Sequence, residues 1–210
     1  MPWQPFSHCW RNNTVRRRWA AWLLALSLCP AFHAAAQASA GDQRTALAQH
    51  LSATLAQTQS FDDVFDAQVW LVDMQGRLAS WIPDLEARLA LLRLIHAQAT
   101  QAGVSPELVL AIIDVESDFD RFAISVAGAQ GFMQVMPFWK DEIGRPEDNL
   151  TDPHTNLRYG CQILAFYIAR ADGNLSEALA AYNGSSGSSV YPRKVRAAWQ
   201  THWKITPLDW

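Results

Sequence analysis

Apolar side chains recur at helical spacing from residue 61 onward. The first set lies three or four residues apart and comprises Phe61, Phe65, Val69 and Val72. A second set follows Pro83 and comprises Leu85, Leu89, Leu92 and Ala99, with Gly103 as the expected helix end. This spacing places each set on one face of a helix. The pattern therefore predicts two amphipathic helices between residues 61 and 103.

Start signals place further helices along the rest of the chain. Ser105, Pro106 and Glu107 combine a capping hydroxyl, a proline at the first helical position and an acid in the first turn. They predict a mostly apolar, buried helix over 106–115, and an irregular stretch is expected over 117–131. Other helices are expected over about 152–171, 175–182 and 193–203, the last two separated by a Gly/Ser-rich loop. Because no strand-like alternation of useful length occurs, the predicted fold class is mainly α, with no substantial β-sheet.

The first 36 residues have the layout of a secretory signal peptide. A positive cluster at Arg16, Arg17 and Arg18 precedes an apolar run over 19–28, and three alanines end the stretch at 34–36. This order predicts a periplasmic or secreted protein whose residues 1–36 are cleaved off. An uncleaved anchor is the alternative. The apolar run is about ten residues long, too short to span a bilayer comfortably, so no stable membrane span is expected after cleavage.

Composition narrows the function classes. Half of the 210 residues are hydrophobic and 18% are charged, so the chain can bury a core. The formal charge is −3, and the first 36 residues carry Arg but no acid, so the remainder is more acidic still. This balance argues against a nucleic-acid partner. Cys161 is the one cysteine after the leader; it lies in an apolar helical pattern and is predicted to be a small buried hydrophobe.

Glu116 is the residue whose position most suggests chemistry. It follows the apolar run 108–113, and helical spacing puts it on the face of Ile112 and Ile113. Burial beside two isoleucines should raise the pKa of this carboxyl above its usual range. A raised carboxyl can donate a proton near neutral pH as a general acid. The alternative is a helix-end carboxylate that is capped by Ser117 or paired with Arg121.

Several motifs occur together and in order. They are Glu116-Ser117, the stretch 125–137 that contains Gly131-Phe132-Met133-Gln134, the run 156–160 that begins with Asn156, and Ala180-Ala181-Tyr182-Asn183-Gly184. Together they resemble the soluble lytic transglycosylase catalytic domain, a lysozyme-like helical fold that acts on bacterial peptidoglycan. The resemblance covers roughly residues 100–203. A set of ordered motifs is far more specific than any single one.

The resemblance implies a domain organisation. It places a lysozyme-like helical catalytic domain over 100–205. Residues 61–99 resemble the upstream helices of small members of the family, and they are expected to pack on that domain. Residues 37–60, which are rich in Ala, Gln, Ser and Thr, are expected to form a loosely ordered lead-in.

The resemblance also implies a role for each matching site residue. Glu116 matches the catalytic acid/base. Ser125 matches a hydroxyl close to that acid, and Met133 and Gln134 belong to a signature that lines the cleft. Tyr182 matches a tyrosine that reaches the catalytic carboxyl, and Asn183 matches an amide that faces the substrate. Two positions depart from the family pattern: Phe132 replaces the usual Leu, and a Gly/Ser-rich stretch at 184–187 replaces the usual Ala-Gly.

The implied reaction cleaves the bond between N-acetylmuramic acid and N-acetylglucosamine without water and leaves 1,6-anhydro ends. One carboxyl suffices if the substrate's N-acetyl group stabilises the oxocarbenium-like centre. The expected partners are peptidoglycan glycan strands, with cell-wall or secretion-system proteins as further candidates. Two alternatives remain: a goose-type lysozyme-like hydrolase, which would need a second carboxylate, and a non-catalytic glycan-binding secretion-system assembly factor.

Metal and cofactor chemistry finds no support in the residue spacing. His96, His154 and His202 are scattered, without the spacing of metal ligands. No metal or other cofactor is therefore expected. Trp199 and Trp203 lie four residues apart, which predicts one packed helical face in the core.

Overall fold

The computed structural model describes residues 64–210, with side chains from Gln68 onward. The signal peptide predicted over 1–36 and the lead-in predicted over 37–60 lie outside these residues. The first described helix, α1, spans Val64–Arg77 and continues into a 3-10 turn at Leu78–Ser80.

Six further α-helices follow. They are α2 (Leu85–Ala102), α3 (Pro106–Ser117), α4 (Trp139–Ile143), α5 (Pro153–Arg170), α6 (Leu175–Tyr182) and α7 (Val190–Ala198). The chain then makes a π-helical turn at Trp199–Trp203. Between α3 and α4, isolated antiparallel bridges join Gln130 to Ile124 and to Val135. Over the described part of the chain, the predicted mainly α fold is confirmed.

Local sequence signals explain where the helices begin. Side-chain oxygens cap four of them: Asp84 accepts from Ala87 N at α2, Ser105 from Leu108 N at α3, Asp152 from Thr155 N at α5, and Asn174 from Glu177 N at α6. Gly103 ends α2 with a φ of 70°, which suits glycine. The structure departs from the prediction at α4, which the sequence pattern missed, and at α7, which begins at Val190 rather than at residue 193.

The core is built around α3. All six side chains over 108–113 are at most 1% exposed, and α2, α7 and the π-helical turn pack against this helix. The π turn buries both Trp199 and Trp203, as predicted. Cys161 is also buried, and burial raises the pKa of its thiol to about 12. Within residues 64–210, no helix is both long and apolar enough to cross a membrane.

Candidate active site

A cavity of about 240 Å³ opens beside the C-terminal end of α3. Its walls come from α3, from the irregular segment between α3 and α4, and from α4, α5 and α6. Five of the six predicted site residues line it: Glu116, Ser125, Gln134, Tyr182 and Asn183. The fold therefore brings together side chains that are up to 67 positions apart in the sequence.

Glu116 lies in the last turn of α3, where the apolar helix meets the cavity. The Tyr191 hydroxyl donates a hydrogen bond of 2.7 Å to its Oε1 atom. Burial raises the pKa of Glu116 above its usual range, and the bond from Tyr191 acts in the opposite direction because it favours the charged form. A carboxyl with a raised pKa holds its proton to higher pH than an exposed glutamate does, and it can release that proton to a bound group.

The hydroxyl that bonds Glu116 belongs to Tyr191, whereas the resemblance implied that Tyr182 reaches this carboxyl. The Tyr182 hydroxyl donates instead to the Met133 carbonyl at 2.7 Å, while its ring lines the cavity. Burial and the neighbouring Glu116 raise the pKa of both tyrosines well above the usual value, so both hydroxyls stay protonated as donors. Tyr191 was not among the site residues predicted from the sequence. Its only signal was a tyrosine two residues after the Gly/Ser-rich loop, in the first turn of the last helix.

Met133 differs from the other predicted site residues. Its side chain is fully buried behind the cavity wall and faces α5. A β-carbon on Gly160 would come within 2.3 Å of the Met133 sulfur, so the lack of a side chain at Gly160 makes room for it. Met133 instead contributes its backbone carbonyl, which accepts from Tyr182, and thereby links the wall to α6.

Asn156 fastens the irregular wall to α5. Its Oδ1 accepts from Met133 N at 2.8 Å, and its Nδ2 donates to the carbonyls of Gln130 and Leu150, both at 2.8 Å. Gly131 fits into this arrangement with a φ of 73°, and a β-carbon there would lie 2.5 Å from both the Leu150 oxygen and Asn156 Nδ2. The close approach requires a glycine. Asn156 is 1% exposed. It begins one of the sequence motifs, but the motif alone did not indicate this structural role.

Gln134 and Ser125 mainly hold the wall in shape. Gln134 has a φ of 46°, and its side-chain amide donates to the carbonyls of Gly131 and Ala123 at 2.9 and 3.1 Å. The Ser125 hydroxyl accepts from Ala129 N at 3.0 Å. Both side chains line the cavity while making these bonds, so their polar atoms are held in place before any ligand binds.

The loop over 183–189 begins at the cavity, which Asn183 lines. Asn183 ends α6 and is exposed, and its Nδ2 donates to the Ser185 hydroxyl at 3.1 Å. Backbone hydrogen bonds from Gly184 N to Ala181 O and from Ser188 N to Ser185 O each join residues three apart, so the loop consists of tight turns. Tyr191 lies two residues after the loop, in the first turn of α7, where its hydroxyl contacts Glu116.

The carboxylates nearest to Glu116 in sequence bond elsewhere. Asp114 accepts from Trp203 Nε1 at 2.9 Å and contacts His202 Nδ1 at 2.7 Å. Asp118 accepts from Trp81 Nε1 at 2.6 Å, and Asp120 accepts from Phe122 N at 2.8 Å. Among the described residues that line the cavity, Glu116 is the only carboxylate. The described side chains also include no group of three or more His, Cys, Asp or Glu placed to hold a metal ion.

Comparisons with known proteins give a match over the same region. The family model described as the transglycosylase SLT domain matches residues 93–201. Membrane-bound lytic murein transglycosylase C from Photorhabdus laumondii is 30% identical over 136 residues, which are 56% of this chain and 38% of the relative. The protein of the same name from Klebsiella pneumoniae is 35% identical over 113 residues, 46% of this chain and 31% of the relative. The chain thus spans about a third of the length of these relatives.

Two solved structures also align with the chain. An inactive mutant of lytic transglycosylase Slt from Pseudomonas aeruginosa is 27% identical, with a TM-score of 0.42, over 67% of this chain and 23% of that one. The 70 kDa soluble lytic transglycosylase from Escherichia coli is 20% identical, with a TM-score of 0.39, over 68% and 25% of the two chains.

Proposed function

The chain belongs to the transglycosylase SLT domain family, and from this premise we propose that it is a peptidoglycan lytic transglycosylase with Glu116 as its acid and base. The observation that carries the proposal is Glu116, the single carboxyl among the described residues that line the cavity. It is partly buried at the end of an apolar helix and accepts a hydrogen bond from a tyrosine hydroxyl. The substrate is the peptidoglycan glycan strand, and the bond cleaved is the β-1,4 bond between N-acetylmuramic acid and N-acetylglucosamine.

In the first step, protonated Glu116 gives its proton to the glycosidic oxygen. The bond from that oxygen to C1 of N-acetylmuramic acid breaks, and N-acetylglucosamine leaves with a new hydroxyl. The N-acetyl oxygen of the muramic acid stabilises the positive charge that develops at C1, which is the part that a second carboxylate plays in most glycosidases. Because the Tyr191 hydroxyl donates to Oε1, the transferred proton is carried on Oε2.

In the second step, the Glu116 carboxylate accepts the proton of the C6 hydroxyl of the same sugar. The C6 oxygen then bonds C1 and closes the 1,6-anhydro ring, while the N-acetyl oxygen is released. Glu116 is protonated again, so atoms and charge balance without water. Attack within one molecule benefits from a high effective concentration, and this offsets the lack of an activated solvent nucleophile.

The competing hydrolase reaction needs a second carboxylate to hold and activate a water molecule. Asp114, Asp118 and Asp120 are the nearest in sequence, and each already bonds an indole or backbone N–H. This arrangement supports the transglycosylase over the lysozyme-like alternative. A protein that only binds glycan would have no need of a carboxyl with a raised pKa in the cavity wall.

The test is the mass of the products released from purified sacculi. A transglycosylase gives muropeptides that are one water lighter than those from a hydrolase. We expect anhydro products from the wild type and none from Glu116→Gln, whose amide cannot donate or accept the proton. Glu177→Gln, an exposed change in the first turn of α6, is the matched control and should leave product release unchanged. Hydrated products, or full activity in Glu116→Gln, would overturn the proposal.

We further propose that residues 1–36 export the protein to the periplasm. The curated relatives are named as membrane-bound murein enzymes, and peptidoglycan lies outside the cytoplasmic membrane. Cell fractionation followed by mass measurement of the mature chain tests this proposal. A chain that keeps residues 1–36 in the cytoplasm would refute it.

A further inference from the structure

Two indole–carboxylate hydrogen bonds connect the upstream segment to the two ends of α3. Trp70 Nε1 donates to Glu107 Oε1 at 2.7 Å, in the first turn of the helix. Trp81 Nε1 donates to Asp118 Oδ1 at 2.6 Å, at the residue that ends it. Each tryptophan lies 37 positions before its partner. Both lie before residue 93, where the family match begins.

The bond from Trp81 falls on a strained turn. Asp118 has a φ of 50° and Phe119 a φ of 62°, so two consecutive residues with side chains adopt the left-handed conformation. This conformation costs free energy for any residue but glycine, and it persists only where surrounding contacts hold it. The turn begins two residues after Glu116. A change in its geometry is therefore passed directly to the last turn of α3.

Trp81 contacts both residues of this turn. Its N–H bonds Asp118, while its ring packs against the buried Phe119 at a centroid distance of 5.4 Å. Trp203 completes the cluster, 5.3 Å from the Trp81 ring and 5.5 Å from the Phe119 ring. These aromatic contacts can hold Phe119 without the indole N–H. The hydrogen bond is the part of the contact that fixes Asp118.

We propose that Trp81 is a positioning residue for Glu116, because its bond to Asp118 holds the left-handed turn that sets the direction of the carboxyl. Trp81 does not line the cavity and takes no part in proton transfer. It acts through the last turn of α3, because the position of this turn determines whether the Glu116 carboxyl reaches the Tyr191 hydroxyl. The activity readout of this inference rests on the proposed function of Glu116.

Trp81→Phe tests the inference, since it keeps an aromatic ring in the cluster and removes the N–H. Trp70→Phe is the matched control: it removes an equivalent bond at the opposite end of the same helix, nine residues before Glu116. We expect Trp81→Phe to lower kcat on soluble glycan strands about fivefold with KM unchanged. This converts to about 1 kcal/mol, which is the worth of one ordinary hydrogen bond. Trp70→Phe should keep kcat within about twofold, even where both variants lower the melting temperature.

Two changes at Asp118 separate positioning from general stability. Asp118→Asn keeps an acceptor for the indole and tolerates the left-handed conformation, so kcat should stay near the wild-type value. Asp118→Ala should match Trp81→Phe, and the double variant should lose no more than either single one. An equal loss in Trp70→Phe, or an unchanged kcat in Trp81→Phe, would overturn the inference.

Amide hydrogen exchange gives a readout that needs no activity. Trp81→Phe should speed exchange at residues 116–120 and leave the first turn of α3 unchanged, whereas Trp70→Phe should do the reverse. If the wild type releases no product from sacculi, the proposed function fails while the exchange pattern still decides the role of Trp81. Uniform exchange in both variants would refute that role.

Discussion

Replacing Asn156 with alanine should strongly destabilise the cavity wall. The amide is buried and makes three hydrogen bonds of 2.8 Å, and these join Met133 N, Gln130 O and Leu150 O to α5. Each bond contributes about 1 kcal/mol net, and the buried Met133 N–H left without a partner costs about 1 to 3 kcal/mol. The two bonds that Asn156 Nδ2 donates and the penalty at Met133 N, which replaces the worth of its own bond, together give a loss of about 3 to 5 kcal/mol in the free energy of unfolding.

Urea unfolding followed by tryptophan fluorescence and circular dichroism measures this loss. Asn149→Ala is the matched control, because Asn149 is exposed and its Oδ1 accepts from the backbone and hydroxyl of Thr151. It should cost about 1 kcal/mol or less. If Asn156→Ala loses no more than Asn149→Ala, water satisfies the freed groups and the wall does not depend on this amide.

Three further predictions follow from the site. Tyr191→Phe removes a bond that favours the ionised form of Glu116, so the pKa of that carboxyl should rise further and the alkaline limb of the pH–rate profile should move to higher pH; an unmoved limb would contradict this. Glu116→Gln should raise the melting temperature at pH 7 but not near pH 4. The pKa of Glu116 is higher in the folded than in the unfolded state, so its ionisation at pH 7 favours unfolding, and the neutral amide of glutamine avoids this cost. Equal melting temperatures of variant and wild type at both pH values would refute it. Cys161, with a thiol pKa of about 12, should resist iodoacetamide in the folded protein and react once it unfolds; rapid labelling of Cys161 itself in the folded protein would contradict this.

Helix boundaries could be predicted because their causes are local. Ser105 and Pro106 act within one turn of α3, and Gly103 ends α2 through its own backbone angle. The short helix α4 escaped prediction because its five residues are too few to show a period. The start of α7 at Val190 was placed three residues too late because no residue in the sequence signals where the Gly/Ser-rich loop ends.

The candidate site was predictable only as far as its motifs reach. Glu116 could be found because its buried helix lies directly before it in sequence. The partner of its carboxyl could not, since Tyr191 lies 75 residues away and the contact depends on how α7 packs against α3. Tyr182 contacts the Met133 carbonyl for the same reason: the tertiary fold decides which of two nearby hydroxyls meets the acid.

The loop over 183–189 and the wall anchored by Asn156 differ in how they tolerate changes of length. Five of the seven loop residues are exposed, and its internal bonds join neighbours in the sequence. An inserted residue in the wall would pull Met133 N or the Gln130 carbonyl away from a buried amide. Changes of length over 184–189 should therefore be tolerated between α6 and α7, provided that Asn183 stays at the cavity and Tyr191 keeps its place at the start of the last helix.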